Sequence, residues 1–121
     1  MASYLYRNQI TNTMTESASV EDRLFALKLQ YLKSLPEKIT EINQQWATCV
    51  ENQTVSDNML EASLHKLAGS AGMYDEITLG EIARSIEITL SNHSETLTPQ
   101  NIFLIESELD KLRNKIAELS A

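Results

Sequence analysis

The chain has 121 residues and a mass of 13.6 kDa, which fits one domain and excludes a core plus a second, independent catalytic unit. Its formal net charge is −7 and no stretch is locally basic, so nucleic acid is a poor partner. Because Cys49 is the only cysteine, and because we find neither a signal peptide nor about eighteen consecutive apolar residues, we expect a cytoplasmic protein that does not span a membrane.

Three glycines and two prolines interrupt a chain rich in Leu, Ile, Ala, Glu and Lys, and this composition predicts an all-α fold. Residues 1–19 are polar, so we expect a short or partly flexible N-terminal extension with a short helix near Tyr4 to Ile10. From residue 20 to residue 50, apolar residues recur every three or four positions, which predicts a helix with one buried stripe. Pro36 indicates either two helices meeting there or one long kinked helix, and we expect a break or a kink.

The second predicted helix follows a polar link at residues 51–55. Ser56 or Asp57 can cap its start, and Gly72 with the turn after it should end the helix. Its core positions are Leu60, Leu64, Leu67 and Ala71.

Two more helices complete the chain. Thr78, with Glu81 three residues later, resembles a capping box and predicts the start of the third helix. Thr98 followed by Pro99 predicts the start of the fourth, whose heptad-like apolar spacing continues to the C-terminus. Four amphipathic helices can bury their stripes only against one another, so we predict an antiparallel four-helix bundle over residues 20–121.

His65 is the candidate functional residue. With about 100° per residue, its side chain projects about 140° from Leu60, so the imidazole should face away from the core or lie at its margin. Gly69, one turn later, costs the helix about 1 kcal/mol relative to alanine, and close approach of a partner would explain that cost. A neutral imidazole nitrogen is nucleophilic near neutral pH, and the phosphoramidate that it forms stays reactive. The residues expected around the ring or at the rim of a docking patch are Glu61, Ala62, Lys66, Ala68, Gly69, Ser70 and Gly72.

The segment HKLAGSAG at residues 65–72 resembles the HxLKGSSxxxG signature of histidine-containing phosphotransfer (Hpt) domains. The Leu35-Pro36 stretch resembles the FLxxLPxxLxxL part of that family, and residues 79–87 resemble its LxxxAxxxE helix. The resemblance covers about residue 20 to the C-terminus. It implies an Hpt-type four-helix bundle in which His65 is the phosphoryl acceptor and donor.

By the same resemblance, His65 takes a phosphoryl group from a receiver-domain aspartate and passes it to another receiver domain. The implied partners are response-regulator receiver domains and a hybrid histidine kinase. Magnesium is expected only in the receiver's acidic pocket, and we assign this chain no metal or cofactor. The sequence has no glycine-rich nucleotide loop, so we predict a carrier without kinase activity of its own. We also expect this carrier to be monomeric.

The sequence departs from the family pattern at two positions. Ala68 stands where the family usually has a Lys or Arg that steadies the phosphoryl group, which leaves Lys66 as the possible substitute. Asp75 stands where the family has a later glycine, and because Asp tolerates left-handed geometry, we expect the turn to form.

Other interpretations remain open at this point. A bundle that sequesters a receiver without accepting phosphate is the main alternative, and a histidine kinase dimerisation unit would need an attached ATP domain. Glu61 and His65 form an i, i+4 pair, but a metal site in a bundle needs further ligands on facing helices. His93 lies in a polar link without a matching glycine pattern and is not assigned to the site, and Cys49 is interpreted as a structural cysteine.

Overall fold

The computed structural model describes the backbone of residues 2–55, 58–92 and 96–121, and the side chains of this set from residue 19 onward. The described residues form four helices and no strand, so the predicted all-α fold is confirmed. The helices are α1 (Ala2–Asn52), α2 (Met59–Met73), α3 (Ile77–Asn92) and α4 (Pro99–Leu119). None of these described helices has an apolar stretch long enough to cross a bilayer.

Helix α1 differs from the expectation at two places. Its backbone is helical from Ala2, not only near Tyr4 to Ile10, since no glycine or proline interrupts the chain before Pro36. It also continues through Pro36, so the two-helix alternative is wrong. Pro36 lies on the exposed side of the helix, where water can satisfy the carbonyl that proline leaves unpaired. The boundary between an extension and a bundle at residue 20 stays a prediction.

The chain divides into two compact units, residues 1–32 and residues 33–121. In the first unit, Val20, Leu24 and Phe25 have exposed side chains. In the second, the core consists of apolar stripes from all four helices, and its almost fully buried members include Leu35, Ile42, Leu64, Leu79, Ile86, Ile105 and Leu112.

Polar contacts join α1 to α4 in the second unit. The Trp46 indole Nε1 donates to a Glu106 carboxylate oxygen, and Arg113 Nε donates to Asn43 Oδ1 at 2.9 Å. Burial alone would lower the pKa of Arg113, but its hydrogen bonds to Glu106 and Asp110 outweigh that effect and raise the pKa above its ordinary value. Arg113 is therefore a fixed positive charge that orients these two helices.

The ends of helices α2 and α4 can be compared with those predicted from the sequence. Helix α2 begins after Asn58, which has a positive φ of 59° and no capping side-chain bond, whereas the expected caps Ser56 and Asp57 lie outside the described residues. The expected end of α2 near Gly72 is confirmed, because the helix ends at Met73. Helix α4 begins as predicted, with Thr98 Oγ1 accepting from the backbone N–H of Asn101 at 3.1 Å.

The prediction that Thr78 and Glu81 form a capping box at the start of α3 is wrong. The helix begins at Ile77, one residue before Thr78, and its first turn is closed by the bond from the Gly80 N–H to the Glu76 carbonyl at 3.0 Å. The reason is the short connection from α2, in which the Glu76 N–H donates to the Ala71 carbonyl at 2.8 Å. This tight turn brings α3 back against α2.

Candidate functional site

His65 lies in the middle of α2 and faces solvent. Its side chain is 73% exposed, whereas Leu64 and Leu67 on either side of it are 0% and 2% exposed. The predicted orientation of the ring away from the core is therefore what the structure shows. Its exposure leaves the ring accessible to a second protein, while the leucines anchor the helix beneath it.

The ring is held by one hydrogen bond from the neighbouring helix. Glu87 Oε1 on α3 lies 2.9 Å from His65 Nδ1, and the Glu87 side chain is 22% exposed. An ionised carboxylate only accepts hydrogen bonds, so this contact places the proton on Nδ1. In a neutral ring, the lone pair is then on Nε2, which is the nitrogen left free for chemistry.

Glu87 reaches the ring because of its spacing along α3. Leu79, Ala83 and Glu87 follow one another at four-residue steps, and the first two are fully buried. Residues at this spacing lie on nearly the same side of a helix, so Glu87 continues the stripe at its solvent-facing end. We did not identify Glu87 as a site residue from the sequence, although the LxxxAxxxE segment at residues 79–87 contained the signal.

The surface around the ring has few side chains. Ala62, Lys66, Gly69 and Gly72 are exposed. A Cβ atom added at either glycine would meet no atom within 4 Å, leaving aside its immediate chain neighbours and the nearby helix backbone, so neither glycine is required by packing inside this chain. The cost that both impose on the helix fits a surface that another protein approaches closely. An open cleft beside the ring is lined by Asn58, Glu61, Ala62, His65, Lys66 and Glu87.

Ala68 was expected among the residues around the ring, but it does not belong to this exposed surface. It is 8% exposed, and a Cβ atom at Gly80 would lie 3.3 Å from its carbonyl oxygen. The helical projection from Leu60 predicted burial from the leucine stripe of α2 alone. In the structure, α3 packs so closely at Gly80 that it also covers Ala68.

Two other predicted neighbours use their polar groups elsewhere. Glu61 Oε1 accepts from Ser91 Oγ at 2.6 Å and not from His65, so the i, i+4 pair considered above does not form. Ser70 is half buried, and its hydroxyl donates to the Leu67 carbonyl at 3.1 Å, which places it at the edge of the site. Ser91, like Glu87, comes from α3, so this helix supplies the polar contacts along the flank of α2.

The turn after α2 forms with Asp75 at the family's glycine position. Asp75 has a φ of 60°, the left-handed conformation that the resemblance led us to expect. The Tyr74 N–H donates to the carbonyls of Ser70 and Ala71, each at 3.2 Å, and closes the end of α2.

The described residues contain no group of three His, Cys, Asp or Glu side chains placed to hold a metal ion. Cys49 is not part of a disulfide and is buried in the core, which agrees with its interpretation as a structural cysteine. His93 lies outside the described residues. The groups available for chemistry at this surface are therefore the His65 imidazole, the Glu87 carboxylate and the Lys66 ammonium group.

Comparison with known proteins supports the resemblance noted from the sequence. The sequence model of the Hpt domain matches residues 26–115, which is most of the chain and includes His65 and Glu87. No curated protein and no solved structure matches the chain significantly.

Proposed function

The chain belongs to the Hpt domain family of two-component phosphotransfer modules, and on that premise we propose that His65 carries a phosphoryl group between receiver domains. The donor would be an aspartyl phosphate on one receiver and the acceptor an aspartate on another. The chain would act as a monomeric carrier, with magnesium bound to the receiver and none required here. The observation that carries the proposal is an exposed imidazole whose Nδ1 is held by Glu87.

In the proposed reaction, the Nε2 lone pair of neutral His65 attacks the phosphorus of the aspartyl phosphate in line. The N–P bond forms while the P–O bond to the aspartate breaks, and the carboxylate leaves with the bonding electrons. The proton stays on Nδ1, so the product is an Nε2-phosphorylated imidazolium. Transfer to the second receiver reverses these steps on a new carboxylate, and no external acid or base is needed.

Glu87 suits this reaction for two reasons. Before transfer, its bond to Nδ1 selects the tautomer with the free Nε2 lone pair. After transfer, its negative charge faces the N–H of the new imidazolium and strengthens that hydrogen bond. Both effects favour attack by a ring that is already oriented, which lowers the entropic cost of reaching the in-line geometry.

The bare surface supports docking of a receiver domain. Gly69 and Gly72 leave the backbone of α2 uncovered next to the ring, and Ala62 adds only a methyl group on the other side. Lys66 and Ser70 lie at the rim of this patch. A receiver must bring its buried aspartate within bonding distance of Nε2, and larger side chains at these positions would hold the two surfaces apart.

A second candidate function is sequestration of a receiver domain, and the observation that favours it is the alanine at position 68. Because this buried alanine cannot supply the cation that steadies the phosphoryl group elsewhere in the family, the chain would instead bind and sequester a receiver without accepting phosphate. The two functions differ in whether label appears on His65.

The test is incubation of the chain with a ³²P-phosphorylated receiver domain and Mg²⁺, followed by separation of the two proteins. We expect acid-labile label on the wild-type chain and none on His65→Gln, which keeps a polar side chain but lacks the nucleophile. Receiver binding by both forms, measured by calorimetry, is the control for folding and docking. Binding without label on the wild type would support sequestration, and label on His65→Gln would exclude His65 as the acceptor.

A further inference from the structure

The contacts between α2 and α3 fix which of their residues lie at the same level. His65 pairs with Glu87, and Glu61 pairs with Ser91 one turn earlier on α2. Near the other end, a Cβ atom at Gly80 would lie between 3.3 and 3.9 Å from the Ala68 carbonyl oxygen, the Ala71 Cβ and the Gly72 backbone nitrogen. The helices are therefore antiparallel, and three residues forward on α2 correspond to three residues back on α3. By this register, Arg84 on α3 lies at the level of Ala68 on α2.

Arg84 also lies on the side of α3 that faces the phosphoryl site. With about 100° per residue, Gly80, Arg84, Glu87 and Ser91 fall within an arc of about 60°. The other three members of this arc approach or bond to α2. The buried residues Ala83 and Ile86 lie on the opposite side of Glu87 from Arg84, so the arginine stands at the solvent-facing edge of the interface.

Arg84 has no polar partner in the described part of the chain. Arg84 is exposed, and among the described residues it forms no hydrogen bond or ion pair. Its nearest carboxylate along that arc, Glu87, bonds to His65. The Cα of Arg84 is about 4.5 Å along the helix axis from that of Glu87, which is within the span of a three-methylene side chain.

From this placement we propose that Arg84 supplies the positive charge that steadies the phosphoryl group on His65. The inference rests on the proposed phosphotransfer function. The cation comes from α3, level with the position on α2 where Ala68 leaves none. A guanidinium presents a planar pair of N–H donors to phosphate oxygens, and both donors strengthen as negative charge accumulates on these oxygens during transfer.

Lys66 is the competing cation, so its replacement is the comparison for the Arg84 variants. It borders the cleft beside His65, but it also lines a second cleft on the other flank of α2 with Lys38, Glu41 and Ser70. About 100° of rotation separates Lys66 from His65 in the direction away from α3. Like Arg84, it is exposed and forms no hydrogen bond or ion pair within the described structure.

The experiment compares Arg84→Gln, Arg84→Lys and Lys66→Gln with the wild type in single-turnover transfer from a ³²P-phosphorylated receiver. Varying the receiver concentration separates the maximal rate from the half-saturating concentration. We expect Arg84→Gln to lower the maximal rate about tenfold, since one charge-assisted contact to the transferred group is lost. Arg84→Lys should retain an intermediate rate, and the half-saturating concentration of both Arg84 variants should stay within about twofold of wild type. Because Lys66 lies at the rim of the docking patch, Lys66→Gln should raise the half-saturating concentration by a larger factor than it lowers the maximal rate.

Three results would overturn the inference: a maximal rate of Arg84→Gln within twofold of wild type, a larger loss in Lys66→Gln, or a change confined to the half-saturating concentration. The last result would make Arg84 a docking residue. If the wild type acquires label on His65 while Arg84→Gln matches its rate, this inference fails and the proposed function stands. If the wild type acquires no label, both fail. Thermal unfolding of each variant provides the check that the exposed substitutions leave the fold intact.

Discussion

Glu87 Oε1 lies 2.9 Å from Nδ1 of His65, and the two side chains reach each other from different helices, 22 positions apart in the chain. Glu61, on the same helix as His65 and one turn away, bonds instead to Ser91. The orientation and tautomer of the ring are therefore set by the packing of α3 on α2, not within α2 itself. Substitutions that leave α2 unchanged should still alter the chemistry of His65.

Replacement of Glu87 tests this dependence. In Glu87→Ala, Nδ1 loses its acceptor, the ring rotates freely and the reactive tautomer is no longer selected, so we expect transfer from a phosphorylated receiver to slow by about tenfold or more. Glu87→Gln keeps an amide oxygen that can accept from Nδ1–H and should be affected less. The measurement is the single-turnover rate for both variants.

The control for the Glu87 variants is thermal stability. Because the His65–Glu87 contact lies at the surface, its loss should change the free energy of unfolding by less than about 1 kcal/mol. Equal transfer rates in Glu87→Ala and wild type would show that the carboxylate has no part in preparing the ring.

Much of the fold follows from local sequence signals. The stripe of Leu60, Leu64 and Leu67 and the cap at Thr98 depend on residues within a few positions of one another, and the structure confirms both. The start of α3 was mispredicted because the turn from α2 is closed by backbone bonds between residues of the two helix ends, and these bonds leave no motif in the sequence. Of the break or kink expected at Pro36, the break was wrong, because α1 continues through the proline, which lies on the exposed side of the helix.

The site was predictable only in part, for a related reason. Exposure of His65 follows from the period of one helix, which a single sequence reveals. The contact with Glu87 and the burial of Ala68 depend on how closely two helices approach, and that distance is set by Gly80. A glycine within a helix does not by itself show which neighbour it admits, so the sequence could not assign these two residues.

Asp75 provides a test of backbone conformation. Its φ of 60° is left-handed, a conformation that costs most residues about 1 kcal/mol and Asp somewhat less. We expect Asp75→Gly to preserve or raise stability by up to about 1 kcal/mol, and Asp75→Val, which is β-branched, to lower it by about 1–2 kcal/mol. Urea unfolding followed by circular dichroism measures both. A Val variant as stable as the Gly variant would contradict the left-handed turn.

Variants of Thr98 test whether the stability of the fold can be lowered without changing phosphotransfer. The Thr98 hydroxyl caps α4, so Thr98→Ala should cost about 1 kcal/mol of unfolding free energy, while Thr98→Ser, which keeps the oxygen, should cost much less. Thr98 contributes nothing to the cleft beside His65, so we expect both variants to accept label at the wild-type rate at 25 °C. A transfer defect in the serine variant would show that the start of α4 influences the site.

Gly69 and Gly80 form a matched pair with opposite structural roles. A Cβ atom at Gly69 meets open space, so Gly69→Ala should stabilise the exposed helix by up to about 1 kcal/mol. At Gly80 the new Cβ would lie 3.3 Å from the Ala68 carbonyl oxygen, a backbone atom, so Gly80→Ala should gain less or lose stability. Thermal unfolding compares the two variants.

The order of the glycine variants in phosphotransfer should differ from their order in thermal stability. If Gly69 is kept for the approach of a receiver, a bulky exposed residue in Gly69→Gln should leave the bundle folded but raise the half-saturating receiver concentration about tenfold or more, because the side chain separates the two surfaces. Gly80→Ala, inside the α2–α3 contact, should change that concentration only as far as it shifts Glu87 against His65. If Gly69→Gln accepted label like the wild type, the bare surface beside the ring would not be where the partner docks.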